Sequence, residues 1–299
     1  MIPLVVGITI LTFLLVHLIP GDPALVILGI KATPEALAAM TKRMGLDKPL
    51  WVQFTIFAEN LLHGDFGDSL VYRVPVTELI GARLPLTLFL AGYAATLAVL
   101  LAVPLGLVAA MKRNGIVDQG IRAVSVAFMS IPGFWMGIVL LILLGIKVPI
   151  FPVGGVGEGF TGRLYHLFLP ALALGLELAA VLTRNLRDAV IATLTSEHVV
   201  FARAKGLRER LVLTKHVLRN SMVSTLTLLG VYMSWLVGGA VVIETVFALP
   251  GVGWTMVQAI MGRDYPVVQG LTFTFGILVS LVFLITDIAY SFLDPRVTL

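Results

Sequence analysis

The chain has 299 residues, of which 58 % are hydrophobic and only 13 % charged, with a mean hydropathy of +1.00. Soluble domains carry about 25 % charge and 45–50 % apolar residues, so this composition argues against a soluble globular chain and against a disordered one. The net charge of +4 is too small to argue for nucleic acid, and the absence of cysteine excludes disulfides, thiolate metal sites and cysteine nucleophiles.

Six apolar runs have the ~17–25 residues needed to cross a hydrocarbon core about 30 Å thick. They cover roughly 3–19, 85–110, 124–146, 167–182, 226–247 and 271–292. Each is expected to be a helix, because backbone polar groups in lipid must be satisfied within the segment. A β-barrel would alternate polar and apolar residues, and these runs do not. The first run lacks a basic leader, and Pro20-Gly21-Asp22-Pro23 is a poor cleavage site, so it reads as a span and not a signal peptide. The chain starts almost inside that run, and a few residues are expected to precede it.

Segment 20–84 is too long for a simple connector and reads as a small extracytoplasmic cap. Thr33-Pro34-Glu35 opens a helix with proline in its first turn. Leu50–Leu62 predicts a second short helix with Trp51, Phe54 and Phe57 along one side. Asp65-Phe66-Gly67 marks a turn. Such a cap is either a structural lid or a docking surface.

Lys112, Arg113 and Arg122 lie in 111–122, and eight basic residues lie in 184–220. By contrast, 147–167 holds only Lys147 and Arg163, and 248–270 only Arg263. Basic loops stay cytoplasmic, so 111–122 and 184–220 face inward, and with six spans both termini do too. The glycine-rich stretch 154–159 follows no strand and lacks Gly-Lys, so it reads as a flexible external loop and not a phosphate cradle.

In 188–220, Ser196 can cap a short helix over 197–205, Glu197 suits its positive end, and Gly206 suits its exit. A helix this short needs something to pack on. It is either an amphipathic helix on the headgroups or a plug for a socket on a cytoplasmic partner.

No enzyme constellation is present. The chain has neither His-Glu-x-x-His nor Gly-x-Ser-x-Gly, and its five histidines lack ligand spacing. Charges inside spans are costly, and three stand out: Glu177 in the fourth, Glu244 near the outer end of the fifth, and Asp287 near the inner end of the sixth. Glu177 reads either as a polar residue facing a cavity or as a structural hydrogen-bonding group. Glu244 precedes the turn Pro250-Gly251, which makes all three candidates for an outer gate.

The stretch 197–207, Glu-His-Val-Val-Phe-Ala-Arg-Ala-Lys-Gly-Leu, followed by His216-Val217-Leu218-Arg219-Asn220, resembles the cytoplasmic signature loop of ABC importer permeases. Its Ala-Arg-Ala-Lys-Gly-Leu form is similar to the dipeptide/oligopeptide/nickel permease family. So are Pro20-Gly21-Asp22-Pro23-Ala24, Gly45-Leu46-Asp47-Lys48-Pro49, Gly64-Asp65-Phe66-Gly67, Ser130-Ile131-Pro132-Gly133-Phe134, Glu244-Thr245-Val246-Phe247, Pro250-Gly251-Val252-Gly253, Arg263-Asp264-Tyr265-Pro266 and Asp294-Pro295-Arg296. The long first loop and the ending resemble the B-type subunit.

This resemblance implies an all-α membrane protein with six transmembrane helices, a type I ABC importer permease fold and a large first extracytoplasmic loop. The whole of 1–299 is then one permease domain, with 20–84 outside and the coupling loop 188–220 inside. It implies a bacterial or archaeal inner-membrane protein that forms half of a pathway for peptides or related small solutes. Its partners are a homologous C-type permease, two ABC ATPases that use the ATP, and an extracytoplasmic solute-binding protein; this chain binds no cofactor. The coupling residues would be Glu197, Ala202, Arg203, Ala204, Lys205, Gly206 and Leu207. Val223-Ser224 stand where the family often has proline, so a kink there is not implied. The usual basic segment before the first span is missing. Glu177 stands where a small or apolar residue is usual, so the resemblance gives it no role. The alternative class is a stand-alone secondary carrier or channel.

Overall fold

The computed structural model describes residues 2–18, 32–43 and 45–293. Pro20-Gly21-Asp22-Pro23-Ala24 and Asp294-Pro295-Arg296 lie outside the described residues, as does the side chain of Asp287. Among the described residues there is no named strand, only an isolated antiparallel bridge between Asp68 and Pro75. The helices are α1 (Ile2–Leu18), α2 (Pro34–Arg43), α3 (Leu50–Leu62), α4 (Val76–Met111) and α5 (Ile116–Ser130). Next come α6 (Gly133–Leu140), which runs into a π-helix π1 (Leu141–Lys147), then α7 (Gly159–His166), α8 (Phe168–Leu194) and α9 (Glu197–Ala204). A short α10 (Glu209–Leu211) continues through π2 (Val212–Leu218) into α11 (Arg219–Val246), followed by α12 (Val252–Met261) and α13 (Tyr265–Leu293).

Four stretches are long and apolar enough to cross a membrane: α4, α8, Glu209–Val246 and Tyr265–Thr286. A fifth is the pair α5 and α6–π1, if counted as one span. The chain is thus a multi-pass helical membrane protein. At about 1.5 Å per residue, the 17 residues of α1 reach about 26 Å, slightly short of a hydrocarbon core.

The helix expected over 124–146 is broken. The chain bends by 104° between α5 and α6. Pro132 lacks an N–H and drives the preceding residue out of the helical region, and Ile131 is indeed extended at φ −94°, ψ 124°. Other spans outrun the apolar runs that announce them. Helix α4 starts at Val76 and not near 85, because Val76, Leu79 and Ile80 are buried with Val252, Val267 and Leu271. Helix α8 carries on to Leu194, through Arg184, Asn185, Arg187 and Asp188.

Contacts group the chain into two compact units, Met1–Leu86 with Pro250–Leu281, and Thr87–Leu249 with Val282–Leu299. In the first, the Ala36 N–H donates to Thr33 Oγ1 at 3.3 Å and so caps α2. Phe13 of α1 packs on Phe54 and Phe57 of α3, with ring centroids 5.4 and 5.9 Å apart. Trp51 does not share that side; it is 71 % exposed. Asp65 Oδ1 accepts the Gly67 N–H at 2.8 Å and closes the expected turn. Asp264 is fully buried and accepts from Ser69 Oγ at 2.5 Å and from the Leu70 and Val71 N–H groups at 3.1 Å each. That one carboxylate pins residues 69–71 of the first loop to the start of α13.

In the second unit α8 is the central strut, packed against α5, α6 and α11. Gly175 lets it approach α4: a Cβ there would lie 2.6 Å from the Ala94 carbonyl oxygen. Loop 147–167, expected to be flexible, is pinned by aromatic contacts. Phe151 stacks on Phe168 at 4.6 Å, the Tyr165 hydroxyl donates to the Ile150 carbonyl, and His166 Nδ1 lies 3.1 Å from the Gly154 carbonyl.

Candidate functional site

Helix α9 is two turns long, and only tertiary packing can hold so short a helix. Val199 and Ala202 are buried against Ala110 of α4, Leu186 and Val190 of α8, and Val212 and Val217 of π2. The opposite face is open, with Val200 56 % and Phe201 61 % exposed. Ser196 occupies the cap position, where its carbonyl accepts the Val199 and Val200 N–H groups at 3.1 Å each. Its hydroxyl does not cap, contrary to expectation; it donates back to the Thr193 carbonyl at 2.5 Å.

The exit is a complete Schellman motif. The Leu207 N–H reaches the Ala202 carbonyl at 3.4 Å, and the Gly206 N–H reaches the Arg203 carbonyl at 2.9 Å. Gly206 takes φ +74°, and a Cβ there would meet nothing within 4 Å, so the backbone angle and not space demands glycine. Arg203 is tied within the loop: its Nη2 donates to Glu209 Oε1 at 2.5 Å and its Nε to Oε2 at 3.2 Å. That hydrogen bond holds the Arg203 guanidinium above its ordinary pKa. Lys205 Nζ lies 4.5 Å from the centre of the Phe201 ring. Ala204, Lys205 and Glu197 are exposed beside Phe201, while Leu207 is 37 % exposed just past the exit.

Behind this loop lies a brace that the apolar pattern could not reveal. Asp118, fully buried at the start of α5, accepts from Arg187 Nε at 2.6 Å and Nη2 at 2.7 Å, and from the Asn114 N–H at 2.8 Å. Arg187 Nη1 also donates to Asp188 Oδ1 at 2.7 Å. Ser221 Oγ donates to Thr193 Oγ1 at 3.1 Å, and Ser224 and Thr225 both donate to Asn185 Oδ1 at 3.3 Å. These bonds tie the foot of α11 to α8. The one sequence signal was the basic and acidic residues at the ends of neighbouring helices.

The gate candidates do not share one environment. Glu244 is fully buried and accepts from Thr87 Oγ1 of α4 at 2.5 Å. Glu177 is exposed on α8, directed away from the core of its own unit. Pro250 accepts a 3.4 Å hydrogen bond from Arg83 Nη1 through its carbonyl. Gly251 precedes α12, and its carbonyl accepts from Thr255 Oγ1 at 2.7 Å. No cluster of His, Asp or Glu among the described residues could hold a metal ion.

Residues 102–299 match the family described as the binding-protein-dependent transport system inner membrane component, and residues 1–91 match the N-terminal part of such membrane components. The chain belongs to this permease family. It is 40 % identical to a peptide transport system permease protein of Brucella suis, covering 99 % of this chain and 95 % of that one. It is 37 % identical to the oligopeptide transport system permease protein AppB of Bacillus subtilis, over 99 % of this chain and 96 % of that one. It is 35 % identical to the dipeptide transport system permease protein DppB of Escherichia coli K12, over 99 % and 95 %. Among solved structures, a chain of an amino acid ABC transporter crystallised with histidines shares the fold. The TM-score is 0.55 at 15 % identity, covering 72 % of this chain and 94 % of that one. This family member is thus a permease component of an ABC importer and not an enzyme.

The brace makes a prediction. Breaking a buried ion pair by removing one partner costs about 3–5 kcal/mol. Asp118→Ala should lower the thermal unfolding midpoint of the solubilised permease, followed by tryptophan fluorescence, and Asp118→Asn should lower it less. A midpoint unchanged in the alanine variant would mean the pair does not brace the fold.

Proposed function

We propose that this chain is the B-type half of the translocation pathway of a peptide importer and that α9 is its coupling helix. The relatives' names favour short peptides as cargo. A homologous C-type permease completes the pore, two ATPases supply ATP hydrolysis, and an extracytoplasmic binding protein delivers the solute. The chain crosses the membrane six times, counting α1 and the bent pair α5–α6 as one span each. Both termini and the loop 188–220 are cytoplasmic, following the basic residues. The loop between α1 and α4 lies outside.

One observation carries the coupling assignment. A short helix anchored by Val199 and Ala202 turns the apolar residues Val200 and Phe201 outward, 56 % and 61 % exposed, at the end of a well-formed cap. A free apolar ridge on a rigid seat suits a socket on a partner. Ala202 and Ala204 permit close approach, and Gly206 with Leu207 fixes the exit. Arg203 braces the helix through Glu209, whereas Lys205 and Glu197 rim the ridge. At the other side of the membrane, Glu244 shapes the outer gate through Thr87, with Pro250-Gly251 as the following turn. Glu177 faces the water-filled pathway, because a charge facing lipid there would be costly. A stand-alone carrier is not favoured, since it has no use for such a ridge.

The coupling reading is tested in the importer purified with both ATPases. A side chain at Gly206 must take a left-handed backbone, at a cost of about 1–2 kcal/mol, or roughly 5–30-fold in the population of the capped form. Gly206→Val should cut co-purification of the ATPases, or leave ATP hydrolysis running with little uptake. Arg203→Gln should do less, because water screens its exposed pair with Glu209. Normal assembly and uptake with Gly206→Val would overturn the assignment.

Orientation is tested by single cysteines, which the native chain lacks. In intact cells an impermeant thiol reagent should label Glu158→Cys and spare Arg210→Cys; the reverse pattern would invert the topology. For the gate, Glu244→Gln keeps shape and a hydrogen-bonding group, whereas Glu244→Ala leaves Thr87 without this acceptor. Uptake at equal membrane abundance should fall more in the alanine variant. Wild-type uptake by that variant would remove Glu244 from the gate.

A further inference from the structure

A second feature lies beside the ridge. His198 of α9 joins Lys215, His216, Arg219, Asn220 and Val223, from the seam where π2 becomes α11, around a cavity of about 260 Å³. Four of these six side chains are basic, one is an amide, and no carboxylate lines the cavity. Among the described residues no salt bridge engages Lys215 or Arg219. Their neighbours in the same region are treated differently: Arg187 is held by Asp118 and Asp188, and Arg203 by Glu209.

The placement of the cavity separates it from the docking ridge. At about 100° per residue, His198 and Arg203 stand on opposite flanks of α9, with Val200, Phe201 and Ala204 between them. The cavity opens on the His198 flank, and its remaining walls belong to the foot of a membrane span. Arg219 begins α11, and Val223 stands one turn further along it, just before the apolar run that starts at 226. The site is therefore at the boundary between water and hydrocarbon.

We propose that this cavity binds the phosphate of an anionic phospholipid headgroup at the cytoplasmic face; the side of the membrane rests on the orientation proposed above. The donor set suits a phosphodiester. A guanidinium offers a planar fork, an ammonium a point charge with three donors, and the amide and imidazole groups further N–H donors. Basic pockets between spans on the cytoplasmic side are recognised settings for such headgroups, and each cation there strengthens binding roughly fivefold. Val223 gives the wall an apolar edge on the side where the glycerol and acyl chains would lie. Free phosphate would use the same nitrogens but has no use for that edge. An occupied cavity would hold the foot of α11 beside the coupling helix and make the strength of coupling sensitive to the lipid.

The test uses the complete importer, with its second permease and both ATPases. It is reconstituted in nanodiscs of phosphatidylcholine alone or of phosphatidylcholine with phosphatidylglycerol. Native mass spectrometry counts phosphatidylglycerol retained on the complex, and uptake-coupled ATP hydrolysis is measured in parallel. The wild type should retain the anionic lipid. Lys215→Gln with Arg219→Gln should reduce retention by roughly 25-fold, and Lys215→Arg with Arg219→Lys, which keeps the charge, should restore it. Phosphatidylglycerol should raise coupled hydrolysis in the wild type and not in the glutamine variant. Equal retention by the wild type and the glutamine variant would overturn the proposal. So would an equal effect of inorganic phosphate added to phosphatidylcholine discs, which would make the site one for free phosphate. Loss of ATPase co-purification in the glutamine variant in both lipids would assign the cavity to protein docking instead. Failure of the coupling assignment is distinguishable, because Gly206→Val leaves Lys215 and Arg219 in place on the neighbouring helix and should retain the lipid whatever it does to hydrolysis.

Discussion

The dependence of α9 on its seat governs the end of this protein where α8, α9 and π2 meet. Eight residues cannot hold a helix in water, since the nucleation cost exceeds what two turns return. The segment is helical because Val199 and Ala202 are buried in a cluster drawn from α4, α8 and π2. The same contacts that stabilise α9 therefore connect it to three other elements. A force on the exposed ridge cannot move α9 alone, because an apolar cluster packed at interior density transmits displacement. The hydrogen bonds of Thr193 and Asn185 with Ser221, Ser224 and Thr225 carry the same connection up from the loop into two membrane helices. Displacement passed along this route needs no hinge in the loop, only a stiff seat.

Buried polar groups mark the places where the apolar pattern alone would leave the packing undetermined. Apolar helices in lipid slide against one another at little cost, because lipid tails are as apolar as leucine. A carboxylate with a few directed partners does not slide. Glu244 on Thr87, Asp118 on Arg187, and Asp264 on the 69–71 turn each tie residues far apart in the sequence. Two of these acids gain a fork or a cluster of donors, so removing them leaves charged or polar groups without an acceptor. Each fixes one register, Glu244 and Asp118 in the second unit and Asp264 in the first.

The sequence made these features legible to different degrees, for physical reasons. Spans were visible because about 20 apolar residues in a row have few other uses. Their ends were not: α4 begins nine residues before its apolar run, since Val76, Leu79 and Ile80 are buried between polar neighbours. The break at Ile131-Pro132 had its cause in plain view, yet proline inside a span often only kinks it, and the 104° turn depends on tertiary contacts. The short helix, expected over 197–205 and found over 197–204, and its glycine exit were readable from local sequence, although the Ser196 hydroxyl does not make the expected cap. The buried face was not, because Val199, Val200 and Phe201 are all apolar and only the seat decides which of them turns inward. The same ambiguity placed Trp51 beside Phe54 and Phe57, whereas Phe13 selects the two phenylalanines. Charges at the helix ends were visible, but that Asp118 pairs with Arg187 could not be read, since 69 residues separate them.

Helix exits give a last contrast. The ends of α11 and α12 use the same Schellman pattern as α9, with the Leu249 N–H on the Glu244 carbonyl and the Asp264 N–H on the Ala259 carbonyl, both at 2.8 Å. Their left-handed residues are Ala248 at φ 49° and Arg263 at φ 53°, not glycine. Each such residue costs about 1–2 kcal/mol. The next residue in each case is fully buried, Leu249 as an apolar anchor and Asp264 as the acceptor of three hydrogen bonds. Apolar burial at Leu249 and the three hydrogen bonds of Asp264 offset the strain. Leu207, the corresponding residue after Gly206, is 37 % exposed and offers no such compensation. An exit with little buried behind it must be free of strain on its own, and glycine supplies that after α9, as Gly45 at φ +67° and Gly64 at φ +74° do after α2 and α3.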